Sequence, residues 1–96
     1  MGYRLSRAAS KDIRHIFAEG EKLFGRDQAA KYHLYLETVF DAIAAHPGLA
    51  RERREISPPV RVHPCGSHIV VYLVDEKREV LILRVRHHRE NWKPRS

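Results

Sequence analysis

The first residues, Gly2-Tyr3-Arg4-Leu5-Ser6, alternate apolar and polar and predict a short strand with Tyr3 and Leu5 on one face. Ser6 is suited to cap a following helix, because its hydroxyl can accept a hydrogen bond from a first-turn amide. No glutamate or glutamine stands three residues on, so a capping box is not expected. From Arg7 to Phe24 the apolar positions Ala9, Ile13, Ile16 or Phe17, Gly20, Leu23 and Phe24 recur at helical spacing, and Gly25 marks the stop. Asp27 is the expected cap of a second helix, whose stripe is Ala29, Tyr32, His33, Leu36, Val39, Phe40 and Ile43. That helix should end near His46, since the residue before Pro47 is forced out of the α region.

Gly48 to Pro59 has no period and reads as a solvated loop. Strands are predicted at about 60–64, 67–75 and 79–87, with Asp75-Glu76-Lys77-Arg78 as a polar hairpin turn. The middle run is apolar or aromatic on both faces, which marks a central strand. In the last run, strict alternation puts Leu81, Leu83 and Val85 on the face toward the helices. Val80, Ile82, Arg84 and Arg86 then share the open face. The expected fold is α+β in the order β-α-α-β-β-β, with a helical hairpin on one face of a small, mainly antiparallel sheet. Ninety-six residues imply one domain, 1–96.

Composition adds a direction. The net charge is +6. Residues 1–50 hold seven Lys/Arg against six Asp/Glu, and residues 51–96 hold eleven against six, so the excess belongs to the C-terminal half. That favours an anionic partner there, nucleic acid or an acidic protein segment. One cysteine, Cys65, cannot form an internal disulfide, and no apolar run approaches the ~20 residues of a membrane span. A cytoplasmic protein with no membrane partner is the expectation.

Candidate chemistry gathers near the C-terminus, in Arg61, Arg84, Arg86, His87, His88 and Arg89. Cations with a histidine can bind phosphate and move protons, as an RNA-cleaving site requires. Arginines on an open face can instead grip the carboxylates of a protein partner. A salt-bridged sheet edge is the third reading. His87 and His88, adjacent on a strand, should point to opposite faces, which argues against a shared metal. His63 and Cys65 have no HxxxH or CxxC beside them, so neither a metal nor a cofactor is expected. His33 on the apolar stripe reads as a packed or edge histidine. A Ser-His-Asp arrangement, a glycine-rich phosphate loop and a carboxylate pair are all absent from the pattern.

Several segments in order resemble the ParE-type toxins of the ParE/RelE toxin–antitoxin superfamily. They are Tyr3-Arg4-Leu5-Ser6 with Ala8-Ala9 and Asp12-Ile13, Phe24-Gly25, Ala29-Ala30-Lys31-Tyr32 and Ile43-Ala44-Ala45-His46-Pro47. Val70-Val71-Tyr72-Leu73-Val74 and Ile82 through Trp92 complete the set. The resemblance implies a toxin that poisons DNA gyrase by binding, without a catalytic residue. It also implies a ParD-type antitoxin with a ribbon-helix-helix DNA-binding domain, so that DNA is met only through the antitoxin. On this reading Arg61, Tyr72, Arg84 and Arg86 are the expected antitoxin contacts. His87, His88, Arg89 and Trp92 are expected at the target or in C-terminal packing. The RelE-like branch, which cleaves messenger RNA on the ribosome, is the alternative, and a basic interaction module without toxicity is the other. Against RelE-like cleavage, His63-Pro64-Cys65-Gly66 lacks an arginine before the glycine, and the indole of Trp92 cannot exchange a proton as an acid or base.

Overall fold

The computed structural model describes residues 2–89. The chain runs β1 (Tyr3–Leu5), α1 (Arg7–Phe24), α2 (Arg26–Ala45), a 3-10 turn (Pro47–Leu49), β2 (Glu52–Arg53), β3 (Val60–Cys65), β4 (His68–Val74) and β5 (Val80–His87). The five strands form one sheet in the order β1-β5-β4-β3-β2, with β1 parallel to β5 and the other pairs antiparallel. The α+β architecture, the helical hairpin and the central place of β4 agree with the pattern of the sequence.

Ser6 links the first strand to the first helix. Its hydroxyl accepts from the Ala9 amide at 2.9 Å and donates to the Leu83 carbonyl at 2.8 Å. Its amide donates to the Ile82 carbonyl, so the pairing of β1 with β5 passes directly into the helix cap. At the other end of α1, Gly25 takes φ +89°, closed to most side chains, and both ends α1 and begins α2. The second helix therefore starts at Arg26, and Asp27 lies in its first turn instead of capping it.

The core lies between the hairpin and the sheet. Ala9 and Ile13 of α1 and Leu36, Phe40 and Ile43 of α2 pack on Cys65, Val70, Tyr72, Val80, Ile82 and Val85. This corrects the expected facing of the last strand. Tyr72 opposes Ile82 while Val71 opposes Arg84, so Leu83 is an extra residue, a β-bulge. Val80 and Ile82 face the helices before the bulge and Val85 does so after it, whereas Leu83 packs with Val71, Val60 and Ile56 on the other side. Of Leu81, Leu83 and Val85, only Val85 meets the helices.

The segment expected to be a bare loop is structured. Glu52 and Arg53 pair with Arg61 and Val60, and Ile56 is buried against the outer face of the sheet. Its arginines behave as surface ion pairs, Arg54 with Glu52 at 3.1 Å and Arg53 with Glu55 at 3.6 Å. The polar hairpin turn is tied by Asp75, whose carboxylate accepts from the amides of Lys77 and Glu79.

Replacing Ser6 by Ala removes a helix cap and leaves the Leu83 carbonyl short of a donor. We expect a loss of about 2 kcal/mol in urea unfolding, roughly 1 from each bond. An unchanged midpoint would show that water replaces both.

Candidate functional site

A groove of about 790 Å³ lies between the hairpin and the ends of β4 and β5. One wall is mainly apolar, from Ile13, Ile16, Phe17, Gly20, Leu23 and Phe24 of α1. The opposite wall is polar, from Ser67, His68, Arg86 and His87. Gln28, Ala29, Tyr32, His33 and Leu36 of α2 also line it, and Asp12, His15 and Glu19 add polar groups on the α1 side. Leu23 and Phe24 continue the apolar stripe of α1 past the point where the sheet supports it, and they stay 67% and 70% exposed. Burying two such side chains is worth about 1.5–3 kcal/mol each, so the tip of the hairpin is a place where a partner gains affinity.

At one end of the groove Asp12 organises the arginines. Its carboxylate takes a two-pronged contact from Arg84, at 2.8 and 2.9 Å, and accepts from the Val85 amide at 2.9 Å. Arg86 stands 3.7 Å away. Burial pushes the Asp12 pKa upward, but the Arg84 hydrogen bond, the Val85 amide and the two positive charges outweigh it and hold the carboxyl below its ordinary value. The expected open pair of arginines is thus engaged within the chain.

At the other end Tyr32 clamps the turn between β3 and β4. Its hydroxyl is 3.1 Å from the Cys65 carbonyl, 2.6 Å from His68 Nδ1 and 3.3 Å from the Ser67 amide. A phenol has one proton to give. All three contacts are met when Tyr32 donates to Cys65, accepts from Ser67, and His68 carries its proton on Nδ1. Gly66 at the centre of that turn has φ +59°, and a Cβ there would lie 2.8 Å from the Tyr32 oxygen. From His68 a row of rings continues, to His87 at 5.6 Å and from His87 to His88 at 4.6 Å. The two adjacent histidines do not point apart as regular alternation requires, because β5 ends at His87 and His88 lies in a turn, its amide donating to Ser67.

The remaining predicted positions separate. Tyr72 is 0% exposed. Its hydroxyl donates to the Pro47 carbonyl at 2.8 Å and accepts from the Ala50 amide, so it anchors the 3-10 turn and cannot meet a partner without opening the core. Arg61 opposes Tyr72 across the β3–β4 pair and donates to the Ala50 carbonyl, away from the groove. Arg89 is exposed beside His87, and its amide donates to the His87 ring. Trp92 lies outside the described residues. His33 is an edge histidine, with Phe17 against its ring and Glu37 at 3.6 Å. Sequence reasoning missed Asp12, Tyr32 and His68 as organisers. It placed Leu23 and Phe24 on the right stripe but could not see that nothing in the described fold covers them.

A helical hairpin on a mixed five-stranded sheet defines a class of small α+β proteins. A solved chain described as a chromosomal ParDE TA system from P. aeruginosa has this fold, with a TM-score of 0.77 at 20% identity over 91% of this chain and 95% of that one. The family model for the ParE toxin of type II toxin-antitoxin system, parDE, matches residues 3–92, and the chain belongs to that family. Toxin ParE1 of Caulobacter vibrioides is 37% identical over 89 residues, which is 93% of this chain and 91% of that relative. The protein is a ParE toxin of a type II toxin–antitoxin system.

Because the Asp12 pKa is depressed on folding, its contribution to stability is complete above the ordinary carboxylate value of about 3.9 and is lost as pH falls through the lower folded value. Asp12→Asn should therefore be less stable than the parent by about 2 kcal/mol at pH 7, and the gap should close in acid. A gap that stays constant down to pH 2 would mean that Asp12 acts by shape and not by charge.

Proposed function

We propose that this toxin inhibits DNA gyrase by binding, has no catalytic site, and acts in the cytoplasm, where a ParD-type antitoxin holds it inactive. The antitoxin supplies a ribbon-helix-helix domain for DNA and a C-terminal segment that gains order in the groove between α1 and the sheet end. The membership of the family and the descriptions of its relatives, a toxin and a ParDE system, support this reading. Among the described residues, no helix is long and apolar enough to cross a membrane.

The observation that carries the antitoxin site is the asymmetry of the groove. A mainly apolar α1 side, interrupted by His15 and Glu19 and ending in exposed Leu23 and Phe24, faces Arg86, His87 and His68. That pairing suits an amphipathic segment with one apolar and one acidic side, ordering as it binds. Arg86 stays in the proposed contact set. Arg84 serves it from behind, through Asp12, and Arg61 and Tyr72 drop out. His87, His88 and Arg89, at the end of β5, remain the proposed contacts for gyrase.

The phenols of Tyr32 and Tyr72 and the Cys65 thiol are not set up for catalysis. Burial raises the pKa values of the Tyr32 and Tyr72 phenols and pushes the Cys65 thiol up to about 11. Neither phenol is poised as a base, and the thiol is not poised as a nucleophile. The Tyr32 hydroxyl is committed to holding a turn.

Two measurements separate the readings. Purified toxin should suppress gyrase supercoiling and accumulate cleaved DNA, and should leave ribosome-bound message intact. Message cut in the ribosomal A site with gyrase unaffected would replace this proposal by the RelE-like one. For the groove, Leu23→Ala with Phe24→Ala should weaken binding of the cognate antitoxin by about 2–4 kcal/mol while leaving thermal stability unchanged. Equal affinity would move the antitoxin to another surface.

A further inference from the structure

The solvent face of α1 carries a basic ridge that the groove does not use. Arg7, Lys11, Arg14 and Lys22 are spaced four, three and eight residues apart, and all are exposed. At 100° per residue they fall within an arc of about 80°, on the side of the helix opposite Ile13. Ala18, also exposed, sits on the same line between Arg14 and Lys22. The ridge is about 22 Å long, from 1.5 Å per residue.

Among the described residues none of the four cations makes an ion pair. The carboxylates of α1 are directed elsewhere: Asp12 to Arg84 and Arg86, and Glu21 to Arg26. Glu19 stands three residues before Lys22, about 60° around the helix from it, and flanks that end of the ridge without an ion pair among the described residues. The first turn of α1 contains no acidic residue. Arg7 thus stands in the first turn of the helix, where the backbone dipole disfavours positive charge, while Lys22 is in the last turn, where it is favoured. The dipole does not explain the placement of Arg7.

We infer that this ridge binds the phosphate backbone of duplex DNA, without regard to sequence. A protein partner of this size needs an apolar anchor at the centre of the contact. The ridge line has none, only Arg, Lys, Arg, Ala and Lys. A membrane surface calls for an apolar side along the same face, and that is missing too. Phosphate contacts need only regularly placed cations, and the small Ala18 lets a strand approach closely. The toxin therefore reaches DNA directly, in addition to any contact made through an antitoxin. This goes beyond the gyrase reading and does not depend on it. The ridge also lies on the face of α1 away from the groove, so a segment seated in the groove leaves it uncovered.

The test uses the full chain and a fluorescent 25-base-pair duplex of arbitrary sequence, with anisotropy read between 50 and 200 mM salt. We expect salt-sensitive binding. Lys11→Glu with Arg14→Glu should lower affinity at least tenfold. Lys31→Glu with Arg51→Glu, which changes net charge equally at two exposed positions off the ridge, should lower it less than threefold. Lys11→Gln with Arg14→Gln should flatten the log–log salt slope by about 2, one counterion unit for each lost phosphate contact. Circular dichroism confirms that each variant is folded. Equal losses in the ridge and control pairs would reduce the effect to net charge and overturn the assignment. So would a wild-type chain that ignores duplex at 50 mM salt. Ridge-dependent binding to polyglutamate or to phosphatidylserine vesicles that matches or exceeds binding to duplex would reassign the ridge to an acidic protein or to a membrane.

Discussion

Past Leu5 the edge strand β1 stops, yet β5 runs on to His87. A strand edge left open in this way exposes amides and carbonyls that must find other partners. Ser6 takes the Leu83 carbonyl, and Asp12 takes the Val85 amide. The same Asp12 carboxylate holds Arg84 in a fork and keeps Arg86 within 3.7 Å. One side chain thereby fixes the distance between α1 and β5, closes an edge, and sets where the polar wall of the groove begins. Removing it would leave a partly buried guanidinium without its counter-charge, which costs more than the pair adds.

The bulge at Leu83 is the second consequence of that junction. An extra residue in β5 shifts the alternation, so Ile82 and Val85 both face the hairpin although they are three apart. Strict period-two reading cannot find this, because both Val80-Ile82 and Leu81-Leu83 are apolar pairs and either could be the inner one. What decides between them is the pairing with β4, a long-range fact. The helices were readable for the opposite reason. Their stripes are local, their ends are marked by Ser6, Gly25 and Pro47, and no distant pairing is needed to place them. Where two short signals competed, at Gly25 and Asp27, the positive φ of the glycine made a linker unnecessary and moved the start of α2 forward.

The candidate site was legible in part, and the division is instructive. Arg84, Arg86, His87 and His88 stood out because they end an apolar run with charge. Their environments did not, since Asp12 is 72 residues from Arg84 and Tyr32 is 36 from His68. Tyr72 is expected at the antitoxin on the strength of the family resemblance. Its hydroxyl is instead used to hold the 3-10 turn. A tyrosine at the centre of a strand with two apolar faces is more safely read as core, its polar tip requiring an internal partner.

Counting charge along the chain shows an N-terminal half that is nearly balanced. The balance is numerical and not spatial. In α1 the carboxylates of Asp12 and Glu21 are drawn off by Arg84 and Arg26, while Arg7, Lys11, Arg14 and Lys22 are left together on the solvent face. The helix thus has three sectors: an apolar one in the core, an apolar tip in the groove, and a basic ridge outside. Asp12 lies about 100° around the helix from Lys11, so its carboxylate serves β5 without touching the ridge, and the three sectors are set by helical spacing alone.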